Sequence, residues 1–161
     1  PHRQKTDYKE KFVAILRSLS ARGFEELCLL LLRENGFENL RLTSRGKDGG
    51  VAGISTLRIN PFVSFKVLFQ CKRYNGKYPI KREQIGDFRN AMLGRADKGI
   101  FITTGYFSTD AEREANREGV PPIELVDCEK LIEMFEKTEL GLKAIRTYEI
   151  ELQFFEKYMK P

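Results

Sequence analysis

The segment 63–72 carries polar side chains that could take part in chemistry. It reads VSFKVLFQCK, with apolar residues at the odd positions and mostly polar residues at the even ones. Because the side chains of a β-strand alternate between two faces, Gln70 and Lys72 are predicted to project from one side. An amide and an ammonium group are both hydrogen-bond donors, and the ammonium also carries a positive charge. An edge strand with one solvated face would produce the same pattern.

The segment 46–53 precedes this strand and is rich in glycine. Its sequence is GKDGGVAG, and its glycines permit a tight turn and the close approach of a ligand to the backbone. A plain turn is the alternative explanation.

Glu25 is a further candidate because it begins an apolar helix. Leu29 and Leu32 follow it at helical spacing, and a carboxylate on a leucine face needs a polar partner or a metal ion. A first-turn glutamate that is favoured by the helix dipole is the alternative, and Glu26 is a neighbour with which Glu25 could be confused.

The overall composition indicates a folded, basic domain. The 161 residues are 41% hydrophobic and 32% charged, which favours one packed domain, and no apolar run is long enough to span a bilayer. The net charge of +5 favours polyanionic partners such as nucleic acid. The chain opens at Pro1-His2 without methionine and lacks a signal segment, so we expect a cytoplasmic piece of a longer protein.

The histidine and cysteine content excludes several catalytic classes. His2 is the only histidine, so histidine-dependent triads and histidine-based zinc sites are implausible. Cys28, Cys71 and Cys128 are odd in number and lie in apolar patterns, so we expect buried free thiols in a reducing compartment.

Hydrophobic periodicity predicts alternating helices and strands. Helices are predicted over 8–19, 24–35 and 81–93, from Ser108 or Thr109 to Gly119 with a Thr-x-x-Glu capping box, after an Asp127 cap, and around Phe155. Strands are predicted over 39–43, 51–59, 63–74, 98–104, 122–126 and 148–153. The fold class is therefore α/β, with a central mixed β-sheet flanked by helices on both faces.

Several of these motifs together resemble the Mrr-type catalytic domain of the PD-(D/E)xK nuclease superfamily, from about residue 23 to residue 157. The matching segments are GFEEL at 23–27, NGF at 35–37, DGGVAG at 48–53, QCKRY at 70–74, KGIFITTG at 98–105 and IELVD at 123–127. The resemblance implies a restriction-endonuclease-like core. It also implies a single domain, with an N-terminal helix (1–22), a nuclease core (23–137) and a C-terminal strand and helix (138–161).

The resemblance also implies a catalytic site. The family pattern is Asp-Gly-Gly-Ile/Val-Asp-Gly followed by Gln-x-Lys, and its second aspartate binds a divalent metal. Gln70, Lys72, Glu25 and Asp48 match the pattern, whereas the second aspartate falls on Ala52. The implied cofactor is Mg²⁺, for which Mn²⁺ can substitute. Its expected ligands are position 52, where the carboxylate is lost, Glu25, Asp48 and the backbone carbonyl of Cys71.

Ala52 has three competing interpretations. It is a deliberate replacement of aspartate that traps an inactive form, the mark of a natural non-catalytic DNA-binding module, or a change compensated by Asp48 from a shifted position. The sequence favours the first, because the surrounding motif is intact. An unrelated interaction domain would predict no DNA binding.

The expected partner is DNA, which basic side chains would bind through its phosphate groups. The candidate contacts are Arg45, Lys47, Arg73, Lys77, Lys81, Arg82 and Arg89, with the hydroxyls of Thr103 and Thr104. The family resemblance implies that target choice lies in a separate, missing domain. Because one site cuts one strand, we expect a homodimer or a higher oligomer, formed through this domain or a missing one.

Overall fold

The computed structural model describes residues 2–45, 50–74 and 77–161; side chains are described from residue 8 onward, except at 44 and 45. The helices are α1 (His2–Ser18), α2 (Ala21–Glu34), α3 (Arg82–Met92), α4 (Thr109–Ala115), α5 (Cys128–Thr138) and α6 (Leu152–Glu156). The strands are β1 (Phe37–Arg45), β2 (Val51–Asn60), β3 (Val63–Lys72), β4 (Lys98–Thr103) and β5 (Ile123–Val126). No helix among the described residues could cross a membrane.

The five strands form one mixed sheet in the order β1-β2-β3-β4-β5. The first three are antiparallel neighbours, and β3–β4 and β4–β5 are parallel pairs. Helix α3 provides the crossover between β3 and β4, because parallel neighbours need a long connection. Strand β3 is therefore central and receives hydrogen bonds from both kinds of neighbour.

Helices cover both faces of the sheet, which confirms the predicted fold class. One core contains Phe24, Cys28, Phe69, Ile102 and Phe135, so α2 and α5 pack on the face to which Phe69 points, together with α1.

The core on the other face is built by α3 and α4. It contains Leu68, Ile85, Phe88, Phe101 and Ala111. The even residues of β3 thus face α3 and its odd residues face α2, as the alternation predicts.

Short-range capping sets the helix starts. The Ser20 and Asp127 side chains accept hydrogen bonds from the N–H groups of Gly23 and Lys130. Ser108, one of the two predicted caps, is confirmed, because its side chain accepts from the N–H of Ala111. The Thr-x-x-Glu capping box was wrong, and α4 ends at Ala115 rather than near Gly119.

The strand predicted over 148–153 was wrong. No strand forms there, and α6 begins at Leu152. Tyr148 and Ile150 are each 82% exposed, so the alternating pattern has no buried face to stabilise it.

Candidate active site at the α3 face of the sheet

Position 52 and Gln70 are cross-strand partners. Ala52 lies opposite Gln70 in the antiparallel β2–β3 pair, and directly opposed residues point to the same face. On its other side Gln70 neighbours Phe101 of β4, which belongs to the core on the α3 face. Lys72 follows on the same face at the end of β3, opposite Thr103. Ala52, Gln70 and Lys72 therefore occupy one face of adjacent strands.

A cavity of about 240 Å³ opens over Ala52 and Gln70, between the sheet and α3. Its lining residues are Thr43, Ala52, Leu68, Gln70, Gln84, Asp87, Phe88, Ala91, Arg95 and Phe101. The walls are thus partly apolar, and charged or amide groups stand on the α3 side. Ligands could enter from solvent, because Asp87 and Arg95 are exposed.

The α3 residues of this cavity were not predicted from the sequence. Gln84, Asp87 and Ala91 recur at helical spacing beside the buried stripe of Ile85, Phe88 and Met92. That spacing was available as a signal. The sequence could not tell which polar flank of the stripe faces the site, because that depends on how the helix crosses the sheet.

Glu25 approaches β3 from the opposite face. It is 4% exposed and lies in the first turns of α2, which packs on the core containing Cys71. Burial, then a hydrogen bond with the Cys71 thiol, raises the pKa of the Cys28 thiol well above its usual value, and the charge of Glu25 adds to the rise. Glu25 and Lys72 each have a further polar interaction, but neither lines the cavity. The structure thus brings Ala52 and Gln70 together at the cavity, whereas Glu25 lies on α2, a helix that packs against the opposite face of the sheet.

The two threonines that were predicted to contact DNA form hydrogen bonds within the protein instead. Thr103 and Thr104 are fully buried. The Thr103 hydroxyl accepts from the N–H of Gly105, while the Thr104 hydroxyl donates to the carbonyl of Tyr74 and accepts from its N–H. Neither hydroxyl can reach a DNA phosphate, so the prediction that Thr103 and Thr104 contact DNA was wrong.

Arg89 is also structural. It is 5% exposed, and its guanidinium bonds the Glu114 carboxylate at 2.7 Å and the carbonyl oxygens of Glu114, Ala115 and Pro121. The sequence suggested a DNA contact because Arg89 lies on an amphipathic helix in a basic region. Its side chain instead points inward and holds the end of α4.

The remaining basic candidates for DNA contact differ in whether their side chains are exposed or form contacts within the protein. Arg73 donates to the carbonyls of Arg17 and Leu19 at 3.2 and 2.9 Å, which ties α1 to the end of β3. Lys77, Lys81 and Arg82 are exposed. Arg45 ends β1, but its side chain, like Lys47 and Asp48, lies outside the described part of the chain.

Among the residues that the structure describes, no donor set fits a magnesium ion. Mg²⁺ prefers several oxygen ligands, and the methyl group of Ala52 supplies none. Within residues 2–45, 50–74 and 77–161, no group of three His, Cys, Asp or Glu side chains could hold a metal. A Cβ at Gly50 would stand 3.4 Å from the Cys71 carbonyl oxygen, so Gly50 lies beside the backbone oxygen that was expected to bind the metal.

Comparison with known families decides the identity of this fold. The family model described as restriction endonuclease, Mrr catalytic type, matches residues 16–135. The chain belongs to this family. The match spans β1 to β5 and includes position 52, Gln70 and Lys72, so the Mrr-type core contains the cavity described above.

Solved structures show the same fold. The DNA modification-dependent restriction endonuclease AspBHI is 20% identical with a TM-score of 0.68, over 83% of this chain and 36% of that one. The MspJI restriction endonuclease in complex with a 27-mer oligonucleotide is 20% identical with a TM-score of 0.53, over 80% and 30%. This chain therefore spans about a third of the length of these neighbours. A comparison with curated protein sequences finds no significant match.

Proposed function

We propose that this chain is a nuclease domain of the restriction type. The alanine at position 52 has abolished its cleavage of DNA, and the domain still binds DNA. The observation that carries the proposal is the pairing of Ala52 with Gln70 beneath the cavity. An aspartate at 52 would project into the same space as the Gln70 amide. The loss of that carboxylate removes the negative group that the site needs for a divalent cation.

The remaining residues have roles that do not depend on the missing carboxylate. Lys72 carries the positive charge at the end of β3, where it would stabilise negative charge on a phosphate. Gln70 would orient a water molecule or the phosphate through its amide, since an amide can both donate and accept hydrogen bonds. Restriction endonuclease domains generally use divalent metals, which activate water and polarise the phosphoryl oxygen.

The decisive experiment compares Ala52→Asp with Ala52→Asn. The two side chains have nearly the same shape, but only aspartate carries charge. We expect Ala52→Asp to cleave DNA with Mg²⁺ or Mn²⁺ at least about 100-fold faster than the parent chain, because metal catalysis supplies several kcal/mol. Ala52→Asn and the double variant Ala52→Asp/Gln70→Ala should remain near the parent rate.

The assay needs both unmodified and base-modified plasmid DNA. AspBHI is a DNA modification-dependent enzyme, and a separate domain that selects the target would lie outside this chain. High protein concentrations allow the assay to detect cleavage when no such domain is present. Equal cleavage by the aspartate and asparagine variants, or none by either on both DNAs, would refute the loss-of-ligand explanation.

A naturally non-catalytic DNA-binding module is the second candidate. Lys77, Lys81 and Arg82 are exposed and follow β3 closely, which favours phosphate binding whether or not cleavage occurs. Three such contacts predict a slope of roughly −2.7 for log K against log salt on duplex DNA. Salt-dependent binding with no cleavage by Ala52→Asp would favour this candidate.

Double-strand cleavage would require two sites. We propose that the active form is a homodimer or a higher oligomer, assembled on DNA or through a domain outside this chain. Light scattering of the Ala52→Asp variant with and without duplex DNA tests this point, and a mass of one chain in both states would contradict it.

A further inference from the structure

Two exposed tyrosines lie where β3 and β4 end. Tyr78 is 70% exposed and Tyr106 is 50% exposed. The Tyr106 hydroxyl donates to the Lys77 carbonyl at 3.2 Å, and its backbone carbonyl accepts from the N–H of Ile80 at 2.8 Å. Tyr106 is therefore held across the segment that carries Tyr78. We call this pair of residues the tyrosine ledge.

Hydrogen bonds and buried packing hold the residues next to the tyrosine ledge in place. The Thr104 hydroxyl bonds both backbone groups of Tyr74, and the Tyr74 ring fills the space beside Gly105. Ile80 and Phe107 form a β-bridge and are both buried. Because Tyr106 sits between these anchored residues, its ring can contact a ligand without first losing much conformational freedom.

The segment 72–82, which carries Tyr78, is basic, and acidic residues follow it at Glu83 and follow Tyr106 at Asp110. From residue 72 to residue 82 the sequence contains five basic residues and no acidic ones, namely Lys72, Arg73, Lys77, Lys81 and Arg82. Exposed aromatic rings interleaved with cations are the features that bind single-stranded nucleic acid, since the rings stack on bases and the cations contact phosphates. A protein partner with a purely apolar surface would leave these cations unmatched.

The ledge is close to the candidate active site. Lys72 pairs with Thr103 across β3 and β4, and Tyr106 follows Thr103 by three residues. Three residues of chain span at most about 11 Å, which is the length of about three base-pair steps. DNA held at Lys72 would therefore bring its next few nucleotides to the ledge.

We infer that the tyrosine ledge stacks an unpaired base of the DNA, so that this domain prefers gapped or frayed DNA over intact duplex. The inference rests on the proposed DNA binding. In an intact duplex each base already stacks on its neighbours and offers only its edge, so the rings gain nothing from it. A gap exposes a base face within reach of Lys72 and the ledge.

The experiment measures binding by the chain as it stands, without cleavage. Fluorescence anisotropy with one labelled duplex, with and without a three-nucleotide gap, gives the ratio of the two dissociation constants. Stacking of one base corresponds to roughly 5-fold or more in affinity. We expect the gapped DNA to bind at least about 5-fold more tightly, with the same ratio at low and moderate salt.

Ring and hydroxyl variants separate stacking from other effects. Tyr78→Ala should reduce the preference for gapped DNA while leaving intact-duplex affinity unchanged, and Tyr78→Phe should keep the preference. Tyr106→Ala should also reduce the preference, and because its hydroxyl bonds the Lys77 carbonyl, its effect is judged by the ratio of the two affinities alone. Tyr148→Ala is a matched control, because Tyr148 is 82% exposed and belongs to the C-terminal segment beyond the sheet. It should change neither affinity.

The outcomes distinguish the two proposals. Equal affinity for gapped and intact duplex would overturn the ledge and leave DNA binding standing, as would a preference that survives the double variant Tyr78→Ala/Tyr106→Ala. An equal loss on both DNAs in Tyr78→Ala would also overturn it, since Tyr78 would then contact duplex. Absence of binding to either DNA would overturn the proposed function together with the ledge.

Discussion

Replacement of Arg89 by methionine should destabilise the domain and spare its DNA affinity. Four acceptors lose their donor in Arg89→Met: the Glu114 carboxylate at 2.7 Å and the carbonyls of Glu114, Ala115 and Pro121 at 2.8, 3.3 and 3.4 Å. Breaking a buried pair from one side typically lowers the free energy of unfolding by about 3–5 kcal/mol. Glu114 keeps Arg117 at 3.6 Å, so we expect a loss near the lower end, about 3 kcal/mol.

Urea unfolding followed by circular dichroism measures this loss. With an m value of about 2 kcal/mol per molar, the midpoint should fall by roughly 1.5 M. Arg82→Met is the matched control on the same helix, because Arg82 is exposed. It should change the unfolding free energy by less than about 0.5 kcal/mol.

DNA binding then separates the two arginines. Arg82→Met should weaken duplex binding and lower the salt slope by about 1, whereas Arg89→Met, assayed in the absence of urea, should leave the slope unchanged. The reasoning is refuted if Arg89→Met unfolds like the parent and loses DNA affinity, since Arg89 would then contact phosphate.

Two further predictions concern the free energy of unfolding, measured in urea. A Cβ at Gly53 would stand 2.5 Å from both the Arg41 carbonyl oxygen and the Phe69 ring, so Gly53→Ala should lower stability by about 1–3 kcal/mol, whereas Gly86→Ala, with open space in α3, should raise it by about 0.5–1 kcal/mol. Equal effects would contradict the geometry. Because burial raises the pKa of Cys28, the unfolded thiol loses its proton first, and stability should fall above about pH 8.5 by up to about 1.4 kcal/mol per pH unit. Cys28→Ala should flatten the fall between pH 8 and pH 10, and equal slopes would refute this assignment.

The fold was largely predictable because its elements follow simple periods. The alternation in 63–72 identified β3 and its two faces, and the Asp127 cap identified the start of α5. The pattern over 148–153 has the same alternation, yet it forms no strand. A strand needs a neighbour that supplies hydrogen bonds and a buried face, and the alternation alone contains neither.

The site was only partly predictable. The sequence indicated that Gln70 and position 52 belong together, and the register of β2 and β3 places them side by side. It gave no means to decide that Arg89 turns into the core or that Asp87 borders the cavity. Those outcomes depend on the rotation of α3 about its axis, which is fixed by the packing of Ile85 and Phe88 against the sheet.

Adjacent residues in β2 differ sharply in what they tolerate. Ala52 borders an open cavity, whereas Gly53 is enclosed by backbone and an aromatic ring. A longer side chain at 52 can thus extend into the cavity without displacing the core. If position 52 holds the proposed metal ligand, one substitution there would abolish cleavage and leave the domain folded, and the reverse substitution would restore cleavage.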